Sequence, residues 1–241
     1  ISSDGRTFLH EAKALLKHAE RLESLGRRLG RGESGGLCIG YVSHAIHAGV
    51  LPKALRRVRE ERPGIHIALY NLTPQEQLEG LRQRSLDIAL VCEPMSMDDP
   101  DLLATPVFND PLYLALPSGH PLVDKAHIIP TDLHEQDWIM VDGRANPHRR
   151  ERFMASCVEA GFTPQILLEA AEPLIALGLV SAGLGLALIQ QSMGGVSNPD
   201  VVLRELPWLQ QSIGLWVAWH RVDLRPIVGE FRQIVLAGAE H

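Results

Sequence analysis

One order of elements occurs twice in this chain at a nearly constant separation. Short β-rich runs begin at residues 37, 66 and 87, and the same order begins again at 138, 165 and 185, offsets of 101, 99 and 98. In the first half Leu37 to Val42 reads as a strand, Ile46 to Glu61 as a helix with Leu51, Leu55 and Val58 inward, and His66 to Tyr70 as a second strand. Thr73-Pro74-Gln75-Glu76 then carries a capping box, with proline suited to the first helical position, so a helix runs from there to about Arg84 before a strand over Asp87 to Val91. In the second half the order is strand Trp138 to Val141, helix His148 to Ala160, strand Gln165 to Leu168, helix Pro173 to Ala182 and strand Gly185 to Ile189. Identity between the halves is slight, so what repeats is element order, and two βαβαβ units are predicted. Leu112 to Leu116 and Ile213 to Trp219 are strand-like where the chain passes between the halves, two crossings that suggest a hinge. A last helix, Pro226 to Ala237, packs Ile227, Phe231, Ile234 and Val235 on one half.

Ahead of this repeat, Phe8, Ala12, Leu15, Ala19, Leu22, Gly26 and Leu29 alternate spacings of four and three, the a/d seam of a coiled coil. A dimerising helix is expected, with Phe8, Ala12, Leu15, Ala19, Leu22 and Leu29 as its contact residues. Gly30-Arg31-Gly32-Glu33-Ser34-Gly35-Gly36 ends the periodicity in a hinge or linker.

Charge narrows the partners. Lys and Arg number 23 against 29 Asp and Glu, and residues 1–35 are net +2, which leaves the remainder at −8. An acidic body of this kind does not supply the phosphate-neutralising surface of a duplex-DNA binder, so any DNA contact belongs to another domain. The most apolar stretch, Leu174 to Ile189, contains Ser181 and several glycines, and no membrane span is expected. The start, Ile1-Ser2-Ser3-Asp4, has neither the charge nor the apolar run of a secretory leader and lacks an initiator Met, so it reads as a cut.

Cys38, Cys92 and Cys157 are far apart, which fits neither a disulfide framework, a metal knuckle nor a peroxide sensor built on a neighbouring pair. They read as small buried residues of a reducing compartment, and a cytoplasmic location is expected. His44 and His47 are three apart near a helix start, but no Asp or Glu lies near them in sequence, so no metal and no other cofactor is expected. His10 and His18 read as solvated and His120 as structural. Gly-x-Ser-x-Gly is absent, and the glycine-rich Gly178 to Gly185 lacks a phosphate-loop lysine. That run reads as close helix packing and a tight turn, and an enzyme is not expected.

Asp4-Gly5-Arg6-Thr7-Phe8-Leu9-His10-Glu11-Ala12, Leu37-Cys38-Ile39-Gly40-Tyr41, Leu51-Pro52, Arg62-Pro63, Leu86-Asp87-Ile88-Ala89, Gly119-His120-Pro121-Leu122 and the run Ala176 to Gly185 occur in this order. The ordered set resembles the LysR-type transcriptional regulators over essentially the whole chain. The resemblance implies an α/β fold of two Rossmann-like subdomains, of the periplasmic-binding-protein type II kind, behind a long coiled-coil linker helix. It implies residues 1–35 as linker helix and hinge, 36–112 with 213–241 as subdomain I, and 113–212 as subdomain II. It further implies a homo-oligomer, dimer or tetramer, that binds promoter DNA through a missing N-terminal winged helix-turn-helix.

In an open α/β sheet the ligand crevice lies beyond the carboxyl ends of the strands, where helix N-termini aim N–H groups outward. That places Ser43 and His44 after the first strand, Thr73 after the second, Cys92 after the third, and Asn146, Pro147, His148 and Arg149 ahead of a helix in the second half. A hydroxyl, an imidazole and a guanidinium beside helix-terminal amides favour a small anion, most simply a carboxylate. Thr73 has a competing task as a cap, and Arg149 stands in a basic run with Arg144, Arg150 and Arg152. The rival expectation is a solute-binding protein of a transport system with the same lobed architecture.

Overall fold

The computed structural model describes residues 2, 5, 8, 9, 12, 15, 36–92, 99–141, 149–196, 198–223 and 225–238. Of the heptad seam, Ala19, Leu22, Gly26 and Leu29 lie outside the described residues, as does the glycine run from Gly30 to Gly35. Phe8 and Leu15 leave 75% and 72% of their surface exposed, so among the described residues these seam residues are largely uncovered.

Strands β1 (Leu37–Tyr41), β2 (Ile67–Asn71) and β3 (Ile88–Cys92) form a parallel sheet, with helices α1 (Ser43–His47), α2 (Val50–Glu61) and α3 (Pro74–Arg82) between them. The second unit holds β5 (Asp137–Val141), α4 (Arg149–Glu159), β6 (Gln165–Ala170), α5 (Pro173–Ser181) and β7 (Ala187–Gln190). β5 and β6 pair in parallel, and a Trp138–Leu186 bridge joins β5 to the segment entering β7. A short β8 (Val201–Arg204), a strand that periodicity did not signal, pairs antiparallel with Leu114–Pro117. Helix α6 (Pro226–Ala237) closes the chain and packs on α2.

The two units are joined by long strands. β4 (Leu102–Pro117) begins in the first sheet and finishes in the second, and β9 (Ser212–His220) returns antiparallel beside it. β4 pairs with β9 from Leu102 to Pro111 and with β7 from Leu112 to Ala115, so it changes sheets next to Pro111. Strand order is β2-β1-β3-β9-β4-β7, with β8 off that path on β4.

The single helix expected from Ile46 to Glu61 is broken at Gly49, whose φ of 74° sits where glycine is favoured and ends α1 before α2 begins. The capping box forms as expected: Glu76 N donates to Thr73 Oγ1, and Thr73 N donates to Glu76 Oε2. The glycine-rich run makes the tight turn into β7. Gly185 has φ of 146°, and a Cβ there would lie 2.8 Å from the Asp137 carbonyl oxygen, so the β5–β7 bridge needs glycine at this point.

Apolar burial follows the same division. One large cluster collects Leu37, Ile39, Leu51, Ile88, Leu215 and Phe231; a second collects Leu112, Leu114, Trp138, Phe153, Phe162 and Leu188. Aromatic residues make up only 5% of the chain, from which an aliphatic core is expected, and the second cluster departs from it. Trp138 packs on Phe153 with ring centres 5.0 Å apart, and Phe162 meets Trp208 edge-on at 6.0 Å, so a few aromatics are concentrated under one sheet.

Candidate ligand-binding cleft

The carboxyl ends of β1 and β3 in the first unit and the beginning of α4 in the second converge where β4 changes sheets. Ser43 opens α1, half-buried, and its Oγ accepts a 3.5 Å hydrogen bond from Asn71 Nδ2. His44 follows and is buried, because the break at Gly49 turns α1 inward against β3 and the 3-10 turn Gln191–Gly195. Cys92 is the last residue of β3, and Arg149 the first of α4. Asn146, Pro147 and His148 lie outside the described residues.

His44, Cys92 and Arg149 come together. His44 Nδ1 lies 3.4 Å from Cys92 Sγ, and the Arg149 guanidinium interacts electrostatically with the same cysteine from the other unit. Arg149 donates a long 3.4 Å bond to the Leu188 carbonyl and forms no ion pair with any described residue. Burial pushes it down to about 10, and Arg152 adds to that, while Cys92 acts in the opposite sense; the guanidinium remains charged at neutral pH.

Thr73 is separately occupied. Its hydroxyl accepts from Glu76 N and donates to Glu76 Oε2, so the capping box uses both of its functions.

Two residues that periodicity did not single out complete the cleft. Asp110, fully buried on β4, accepts a 2.8 Å hydrogen bond from His44 Nε2 and takes two from Ser192, from N at 3.1 Å and from Oγ at 2.5 Å. With two hydrogen bonds already accepted from Ser192, this oxygen pair orients the His44 ring with its hydrogen on Nε2 and Nδ1 turned towards Cys92. His47 lies nearby, held below its ordinary range by burial and by His44, with Glu172 at the start of α5 opposing that shift across the cleft. No acid lies near these histidines in sequence, but β4 and α5 bring Asp110 and Glu172 to them from afar. Among the described residues no three His, Cys, Asp or Glu groups are arranged to hold a metal.

The floor of the second unit contains a cavity of about 20 Å³ lined by Leu112, Trp138, Arg149, Phe153, Leu188 and Gln211. Trp138 Nε1 is buried without a hydrogen-bond partner among the described residues, and a cavity of this size has room for one water to accept from it.

Comparison with known proteins decides what this cleft belongs to. The LysR substrate binding domain matches residues 30–240. The chain belongs to the LysR family. It is 31% identical over 234 residues to the HTH-type transcriptional regulator AlsR of Bacillus subtilis, covering 97% of this chain and 76% of that protein. Its fold is that of CbnR, a LysR family regulator solved in complex with its target DNA, with a TM-score of 0.79, 21% identity, and coverage of 100% and 83%. It also matches the BenM effector binding domain solved with its effector benzoate, with a TM-score of 0.72, 22% identity, and coverage of 84% and 90%. BenM is a transcriptional regulator of Acinetobacter baylyi.

As a LysR effector-binding domain, the chain has the type II periplasmic-binding-like arrangement that the family resemblance implied, and its relatives are transcriptional regulators rather than enzymes. No helix among the described residues is long and apolar enough to cross a membrane. The signal that could have found Asp110 is the Asn109-Asp110-Pro111 triplet beside the strand-like Leu112 run. An acid next to a chain crossing is well placed to join two units, although the triplet by itself reads as a turn.

Proposed function

We propose that this LysR effector-binding domain senses a small carboxylate held between two lobes, residues 36–112 with 213–241 and residues 113–212. The observation that carries this reading is Arg149, a charged guanidinium at the cleft whose only acceptor among the described residues is the Leu188 carbonyl at 3.4 Å. A carboxylate would supply the charged acceptor that this half-buried guanidinium lacks. The binding of benzoate, a carboxylate, by BenM agrees with that chemistry. Ser43, His44 and Cys92 form the facing wall, with Asn146, Pro147 and His148, the residues just before α4 in the sequence, as further candidates, and Thr73 at the margin as a cap.

A ligand that prefers one arrangement of the lobes shifts the population towards it, and the geometry of an oligomer changes with it. One that binds both arrangements equally switches nothing. In the whole regulator, promoter DNA is read by a winged helix-turn-helix ahead of the linker helix, in the cytoplasm. The transport reading has weaker support, since the relatives are named as transcriptional regulators.

The testing experiment is a thermal-shift screen against aromatic and aliphatic carboxylates, amino acids, sugar phosphates and neutral analogues. A carboxylate at about 100 times its dissociation constant adds roughly 2.7 kcal/mol and raises the unfolding midpoint visibly. Shifts by neutral compounds alone would remove the carboxylate from this reading.

The seam of residues 8–29 is proposed to dimerise. Replacing Leu15 and Leu22 together with Asp should lower the mass measured by light scattering, because each places a charge in an apolar seam. An unchanged mass would remove the coiled coil from the assembly.

A further inference from the structure

The three cysteines are buried to similar depths, with 5% of the surface exposed at Cys38, 6% at Cys92 and none at Cys157, yet their surroundings differ. Cys157 lies in the aromatic core of the second unit, where burial pushes its thiol up to about 12. Cys38 packs in an apolar cluster with Leu81, Leu86 and Val91. Cys92 faces an imidazole: its Sγ is 3.4 Å from His44 Nδ1, and His44 Nε2 is 2.8 Å from Asp110 Oδ2.

Asp110 already accepts from the Ser192 N–H and O–H, which fixes the His44 hydrogen on Nε2 and turns the Nδ1 lone pair to the thiol. Passing the thiol proton to Nδ1 yields a thiolate beside an imidazolium that Asp110 braces, the environment in which cysteine becomes nucleophilic. Arg149 adds a positive charge from the opposite unit. Of the other ionisable groups around α1, His47 lies close enough to His44 for the two to interact, and Glu172 faces His47. The guanidinium is an observation separate from the cysteine and its hydrogen bonds, and it selects for an anionic reactant.

We propose that Cys92 is a covalent modification site, an activated thiol that adds to small α,β-unsaturated carboxylates entering the cleft. This rests on the carboxylate reading above and adds a reaction to it. The thiol proton moves to His44 Nδ1, and Sγ gives an electron pair to the β-carbon. The C=C π pair shifts to the α-carbon, which takes the proton back from His44. One S–C and one C–H bond form, one S–H bond and one π bond are lost, and neither an oxidant nor a leaving group is required. Arg149 holds the carboxylate during the addition.

The test compares the three thiols in one native protein, which provides its own controls. The chain is treated with iodoacetate, iodoacetamide, acrylate or acrylamide between about pH 5 and 9, and labelled cysteines are located by peptide mass spectrometry. Cys92 is expected to label at least about tenfold faster than the equally buried Cys38 and to keep its rate below the ordinary thiol range near 8.5. Iodoacetate should outrun iodoacetamide at Cys92, and R149M should reverse that order. Acrylate should leave a thioether on Cys92, and propionate, its saturated counterpart, should protect Cys92 from iodoacetate.

Labelling of Cys92 no faster than Cys38, or at a rate that rises only through the ordinary thiol range, would overturn the proposal. Propionate protection without an acrylate adduct would overturn it while leaving carboxylate binding intact. Absence of both protection and adduct would overturn the two readings together.

Discussion

Replacing Asp110 with Ala is expected to lower the unfolding free energy by roughly 3–5 kcal/mol, a loss that chemical denaturation would read directly. The magnitude follows from what the substitution leaves behind. His44 Nε2–H, Ser192 N–H and Ser192 Oγ–H all donate to this one carboxylate in a site closed to solvent, and Ala offers none of them an acceptor. Asp110→Asn keeps the volume and one acceptor oxygen and should cost less. Equal stability of Asp110→Ala and the parent would mean that water reaches these donors and that the site is open.

The second large effect is on binding. Arg149→Met is expected to weaken the carboxylate identified by thermal shift by about 10- to 100-fold, the value of a charge-assisted hydrogen bond of about 1.5–3 kcal/mol. Titration calorimetry measures it. The unliganded protein should unfold at the same temperature or slightly above, because a desolvated cation with one 3.4 Å carbonyl contact is replaced by an apolar chain of similar length. Unchanged affinity would place the anion elsewhere and return Arg149 to the basic run of α4.

How far the sequence carried these conclusions depends on the residue considered. Strands beginning at 37, 67 and 88 and again at 137, 165 and 187 lie within two residues of their expected starts, because each is a short apolar run bounded by turns. The Thr73 cap was legible for a similar reason, since all its partners lie within four residues. The first ten residues of β4 were not legible. Pro106 and the Asn109-Asp110-Pro111 triplet read as turns, yet they are tolerated because this part of β4 lies at the edge of the first sheet and carries a register shift between Pro106 and Phe108. Gly49 looked like an interior helix residue until its left-handed φ showed the break that buries His44.

The site divides in the same way. His44, Cys92 and Arg149 were placed by the rule that ligands meet the carboxyl ends of strands, which needs only element order. Asp110 and Ser192 were missed because their contacts span 66 and 82 residues, and no local pattern encodes a partner at that separation. The pairing is a property of where β4 passes, which emerges only when both sheets are built.

The passage between lobes has a mechanical consequence. β4 and β9 are hydrogen-bonded to each other up to the crossing, where Asp110 lies opposite Ile213 and Pro111 opposite Ser212. A two-stranded ribbon bends and twists readily about its long axis but resists shear in its own plane, since sliding one strand past the other breaks the ladder. Under the proposed function, closure on a ligand would thereby be restricted to a roll with few degrees of freedom. Asp110 is bonded both to α1 and to the turn after β7, so under the proposed function it would act as a rivet that stops this roll and turns the effector's binding energy into torque on the ribbon.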